Sequence, residues 1–204
     1  MVLNAAGSRR SLLVALLLLF LTGVTPAQHA KGKVAPVPVL PFYAENACPF
    51  EGCAYREWTA LSDTPAFSTW DRRRKQHATV RKGAKVVALG GIVITSRPGV
   101  IHLDRDYPEA GLKRGDTVLT YTYLGEGFSQ VWVNGRFFET YDISFTKWPD
   151  GTGCGSDCAA TYVDLGKKAW WAKLRMKSDA TVWVEMDDDR FAGTSLWESP
   201  QPPH

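Results

Sequence analysis

The chain has 204 residues, 45% of them hydrophobic, 22% charged and 12% aromatic, with a net charge of +3. That length admits one compact domain or two very small ones. The near balance of charge sets aside nucleic acid and anionic membrane as required partners.

Arg9 and Arg10 precede an apolar, leucine-rich run from Ser11 to Leu21, and the small residues Thr25 and Ala27 follow it. This is the three-part pattern of a cleavable secretory signal over residues 1–27. The apolar run is too short for the ~20 residues of a spanning helix. The mature chain is therefore expected to be secreted or periplasmic, with no stable membrane span after processing; an uncleaved anchor is the alternative. The removed segment carries Arg9 and Arg10 and no acid, so the mature chain is closer to neutral still.

Residues 28–41 contain Pro36, Pro38 and Pro41 and read as an extended linker. The folded body is expected over 42–197, and the proline-rich tail 198–204 is expected to be disordered. Strand signals dominate that body. They fall at Ala84–Thr95, Thr117–Tyr123, Gln130–Val133, Phe137–Phe145, Ala169–Arg175 and Thr181–Met186. Asn134-Gly135 is a strong hairpin signal between two of them. The basic run Arg72–Lys75 reads as a solvated loop. Short strands with glycine-bearing turns suggest an all-β protein built as a small barrel or a sandwich, and one or two small barrels are the expectation.

Four cysteines in an exported chain read first as disulfides. Local pairing, Cys48 with Cys53 and Cys154 with Cys158, needs only short loops, and Gly52, Gly153 and Gly155 let the backbone turn. A four-cysteine zinc site is the rival, since the spacings do not strictly exclude it.

A basic residue and a glycine precede a strand twice, in Arg81-Lys82-Gly83-Ala84-Lys85-Val86 and in Lys113-Arg114-Gly115-Asp116-Thr117-Val118. With the later strand Trp170-Trp171-Ala172-Lys173-Leu174-Arg175, these stretches resemble bacterial Src-homology-3-like domains of the cell envelope. Thr181-Val182-Trp183-Val184 resembles their closing strand without its usual glycine. The resemblance implies Src-homology-3-like barrels, a first unit over 42–110 and a second over 111–197. It also implies binding to cell-wall material or partner proteins, and it carries over no ligand residues.

No HExxH, GxSxG or GxxxxGK[ST] pattern is present. Asp157-Cys158 is the best lead for a nucleophile, but only His204 follows it in the chain. Asp187, Asp188 and Asp189 with Glu185 lack the alternation of a calcium loop. The expectation is a non-enzymatic chain with no cofactor and no metal. Alternation within three strands places Trp132, Trp171 and Trp183 on polar faces, opposite inward Val131, Val133, Trp170, Leu174, Val182 and Val184. Exposed, these rings form a candidate ligand-binding patch for cell-wall glycan (peptidoglycan), a peptide or an envelope protein. Covered, they are core. A degenerate or accessory cell-wall hydrolase and a structural envelope protein remain as alternatives.

Overall fold

The structure, a computed structural model, describes residues 32–187 and 190–197. The signal pattern at 1–27, the first linker residues and the tail 198–204 lie outside the described residues. So do Asp188 and Asp189. In chain order the strands are β1 (Lys33–Val34), β2 (Phe42–Glu45), β3 (Glu57–Ala60), β4 (Thr64–Phe67), β5 (Gln76–Val80), β6 (Lys85–Arg97), β7 (Gly99–Leu103), β8 (Thr117–Gly125), β9 (Phe128–Val133), β10 (Arg136–Asp142), β11 (Thr146–Lys147), β12 (Ala160–Asp164), β13 (Lys167–Arg175), β14 (Thr181–Glu185) and β15 (Phe191–Ala192). The helical pieces among the described residues are two 3₁₀ turns, Pro108–Ala110 and Gly155–Asp157. The all-β expectation holds. No described helix is long and apolar enough to cross a membrane.

The strands form two curled sheets. One runs β15-β3-β6-β13-β14-β4-β5, with β2 also on β6. The other runs β1-β10-β9-β8-β7-β12-β11. Five strands of each follow the same plan. In the first sheet β3, β6, β13 and β14 pair in succession, and β15 returns antiparallel to β3. In the second β7, β8, β9 and β10 pair in succession, and β12 returns antiparallel to β7. The second set lies wholly between the second and third strands of the first. Residues 99–164 are thus nested inside a unit built from 42–97 and 167–192.

A division at 110/111 does not follow these pairings. It falls between β7 and β8, which share a register from Gly99↔Thr120 to His102↔Thr117. A single cut presumes that each sheet uses contiguous chain, and here the chain leaves the outer sheet at Arg97 and re-enters it at Lys167. Those two residues face each other across β6 and β13. The Arg97 guanidinium also pairs with the Asp164 carboxylate, joining exit to re-entry.

Each sheet closes on its own core. Trp58, Val80, Leu174, Val182, Val184 and Phe191 fill the outer one. Ile101, Val118, Val131, Tyr141 and Phe145 are among the residues filling the nested one. Between the units, Phe42 packs on Tyr121 and Phe137, at ring-centroid distances of 5.0 and 5.7 Å. The Thr95 hydroxyl donates to the Tyr121 carbonyl at 2.7 Å.

The two basic-glycine turns are built alike. Gly83 N–H donates to Ala60 O at 2.7 Å, and Ala60 N–H to Ala84 O at 2.9 Å. Gly115 N–H donates to Leu103 O at 2.9 Å, and Leu103 N–H to Asp116 O at 3.0 Å. Both glycines have positive φ, +78° and +88°, with open space where a Cβ would stand. They serve the backbone rather than close packing. Three residues after Ala60, Asp63 accepts the Lys82 N–H at 2.8 Å. Three residues after Leu103, Asp106 accepts the Arg114 N–H at 2.8 Å.

The Lys82 amide, and secondly the Arg81 guanidinium, hold the Asp63 carboxyl below the usual aspartate range. A depressed folded-state pKa contributes stability above the unfolded value and loses it as pH falls through the folded one. Hydrogen exchange at Lys82, taken relative to its intrinsic rate, is therefore expected to stay protected down to about pH 4 and to open below it. Asp63→Asn is expected to flatten that acid response. Protection already falling near neutral pH would contradict this origin.

Part of the expected linker is docked. Lys33 and Val34 lie antiparallel to Phe137 and Arg136 on the edge of β10. Ala35 N–H donates to Gly135 O at 3.1 Å. The edge of β10 offers unpaired backbone groups there, and an extended segment nearby satisfies them.

Candidate functional site

The three tryptophans singled out by alternation do not form one patch. Trp132 sits on β9 of the nested sheet, whereas Trp171 and Trp183 sit on β13 and β14 of the outer one. Trp132 is half-buried, and its indole N–H donates to Ala35 O at 3.0 Å. Trp171 is only 3% exposed. The edge of Phe67 meets it at 5.6 Å, and the Arg74 guanidinium lies 5.3 Å from its ring centre. The β4–β5 hairpin extends the sheet beyond β14 and covers this face, which strand alternation alone does not reveal. Trp183 is half-buried, with the Lys173 ammonium 6.0 Å from its ring. Trp170 does pack toward the outer core, against Trp58 at 5.9 Å.

The cysteines pair locally. Cys48 and Cys53 are bonded across a Cα–Cα distance of 5.6 Å, Cys154 and Cys158 across 5.0 Å. Both distances are usual for a disulfide. Cys158 is thus no free thiol, and the Asp157-Cys158 pair holds no nucleophile while the bridge stands. No group of three or more His, Cys, Asp or Glu side chains among the described residues is placed to hold a metal ion.

The disulfide loop 48–53 builds the more distinctive site. It projects Phe50 and Glu51 over the place where the chain crosses between the sheets. The loop is pinned from below: the Tyr55 hydroxyl donates to Ala47 O at 2.5 Å and receives the Trp170 indole N–H at 3.1 Å. Phe50 meets Trp170 edge-on at 5.6 Å. On one side of Phe50 lies a cavity of about 490 Å³, walled by Glu51, Tyr123, Trp148, Tyr162 and Lys168. On the other lies one of about 440 Å³, which shares Phe50 and Lys168 and adds Trp170. Both are within the ~300–1,000 Å³ range of small-ligand clefts.

The first cavity has an aromatic wall. Trp148 stacks on Tyr162 at 4.8 Å, and Tyr123 stands edge-on to Trp148 at 6.5 Å. Tyr162 shares a 2.6 Å hydrogen bond with Thr120. Burial raises the pKa of Tyr162, and burial likewise raises that of Tyr123, so both phenols stay neutral at physiological pH. The Glu51 carboxylate accepts the Tyr123 hydroxyl at 2.8 Å and the Glu126 N–H at 2.5 Å. Lys168 stands at the meeting of the two cavities, its ammonium donating to Leu165 O at 2.9 Å. Desolvation, and secondly the charge of Arg97, lower its pKa to about 8.

Strand periodicity and motif single out none of Glu51, Trp148, Tyr162 or Lys168, and mark Tyr123 only as the end of a strand. These residues come from separate stretches of chain, and only the crossing between sheets brings them together. The nearest sequence signal is Trp148 ahead of Pro149-Asp150-Gly151, a ring fixed at a turn. A scan against protein-family models finds no match for this chain, and searches of curated proteins and of solved structures find none either.

Proposed function

We propose that the chain is an exported, non-catalytic binding module for cell-wall glycan, peptide or an envelope protein, made of two Src-homology-3-like barrels. The observation that carries the reading is the cleft over the sheet crossing, where Trp148 and Tyr162 stack beside Lys168 and Glu51. Flat rings with a few placed polar groups suit ligands of that kind. Export is supported by the signal pattern of residues 1–27 and by two disulfides, which persist in oxidising compartments. The barrel reading is supported by the shared five-strand plan and by the two matching basic-glycine turns.

The burial of Trp171 favours a structural role for that face. The ligand surface we assign is the cleft instead.

The test is co-sedimentation of the mature chain with purified cell wall. The wild-type chain is expected to sediment, and Trp148→Ala to stay in solution while keeping its far-UV spectrum. Failure of the wild-type chain to sediment, or equal sedimentation of the two, would sink the proposal.

A further inference from the structure

Lys168 is a cation without an anion. Among the described residues no carboxylate lies within 4.0 Å of its ammonium, although six other pairs meet that limit. Its one hydrogen bond among the described residues is to a neutral carbonyl, Leu165 O. The charged group nearest in effect is Arg97, which repels it and is itself matched to Asp164. On the loop above, Glu51 is committed to Tyr123 and to the Glu126 amide. From the nested sheet, Tyr123 and Tyr162 face the same cavity as neutral phenols. Asp187, just past β14, shares the adjoining cavity with Lys168 but pairs with Arg190 at 3.7 Å. Lys168 is exposed to solvent where it lines the cleft, so its ammonium is open to an arriving anion, and a charge-assisted hydrogen bond to a carboxylate is the strong contact it can make there.

We infer that the cleft takes a ligand bearing a free carboxylate, seated on the Lys168 ammonium with the adjoining ring or apolar group against Trp148 and Tyr162. The inference rests on the binding reading above and names the chemistry its ligand must carry. The opposite wall defines the orientation. The Glu51 carboxylate already accepts the Tyr123 hydroxyl and the Glu126 N–H on its side, so an anionic end is repelled there and accepted at Lys168. The carboxylate has two sources in cell-wall material: a sugar acid whose acid group carries no peptide, such as free N-acetylmuramic acid, or the C-terminus of a short peptide such as D-alanyl-D-alanine.

The mature full chain is titrated by calorimetry with each of those two acids and with the carboxamide of each, beside sedimentation with intact cell wall. At least one acid is expected to bind, with its carboxamide about tenfold weaker or more, as befits loss of a charged hydrogen bond. Whichever acid binds identifies the source. Lys168→Met is expected to bring the acid down to the level of its amide, and Lys168→Arg to keep the preference. Charge on Lys168 is present below its pKa of about 8, so affinity of the wild-type chain falls as pH rises through and above that value. Lys168→Arg stays charged and is expected to show no such fall.

Equal binding of acid and amide, or binding of neither acid, overturns the inference. If the wall still sediments the chain in that case, the binding reading survives it. Acid-selective binding without sedimentation on the wall upholds the carboxylate site and removes the cell-wall reading.

Discussion

Replacing Trp171 by alanine is expected to cost about 3–5 kcal/mol of stability, the range for removing a large aromatic side chain from a core. Trp171 shares its strand face with Lys173 and Arg175, a pattern that ordinarily marks a solvent face. Its 3% exposure follows from Phe67 and Arg74, brought over it by the β4–β5 hairpin. Trp183→Ala is the comparison. Trp183 is only half-buried, and about 1–2 kcal/mol is expected there, within the ordinary range for point changes. Denaturant unfolding of the two variants gives the difference. Equal, small losses would mean that the hairpin does not cover Trp171 in solution.

Excising residues 98–166 and joining Arg97 to Lys167 through Asn-Gly is expected to leave a chain that still unfolds in one cooperative transition. The join is sterically natural because Arg97 and Lys167 are antiparallel partners, which a two-residue turn connects. The retained unit keeps its own core of Trp58, Val80, Leu174 and Phe191, as well as the Cys48–Cys53 bond. It loses the packing of Phe42 on Tyr121 and Phe137, about 1.5–3 kcal/mol for one exposed phenylalanine. The denaturant slope should fall with the surface removed. A non-cooperative, featureless melt would show that the two sheets form one inseparable body.

The parts of the fold that sequence made legible are those where local pattern and final environment agree. Val131 and Val133 alternate with polar neighbours and are buried in β9. Asn134 and Gly135 take the positive φ values, +49° and +74°, that a tight hairpin turn needs. The cysteine spacing likewise agrees with the bonds formed. β4 was hidden for the opposite reason. Its Pro65 lacks the N–H of a regular strand, and its four residues are too few for a periodic signal. Yet that strand decides the fate of Trp171.

The nested order was hidden too. Nothing local at Arg97 or Lys167 shows that they are partners, because their pairing is specified by what lies between them. The cleft depends on the same circumstance. Glu51, Tyr123, Trp148, Tyr162 and Lys168 are unremarkable singly and line one cleft only where the two sheets meet.

The nesting also imposes an order in time. The strands β13 to β15, without which the outer sheet has no third, fourth or fifth member, leave the ribosome after the whole of 99–164. The inner unit can be complete while the outer one is half made. Until then β6 waits with one long edge open, and an open edge is where chains associate wrongly. Joining β6 to β13 across an unstructured 98–166 would carry a loop-closure cost of about 4 kcal/mol. Once β7 and β12 have paired, with Val100 opposite Asp164, the two ends of that loop already stand side by side. The inner unit then acts as a folding template, and its speed sets how long the exposed edge of the outer sheet is left unguarded.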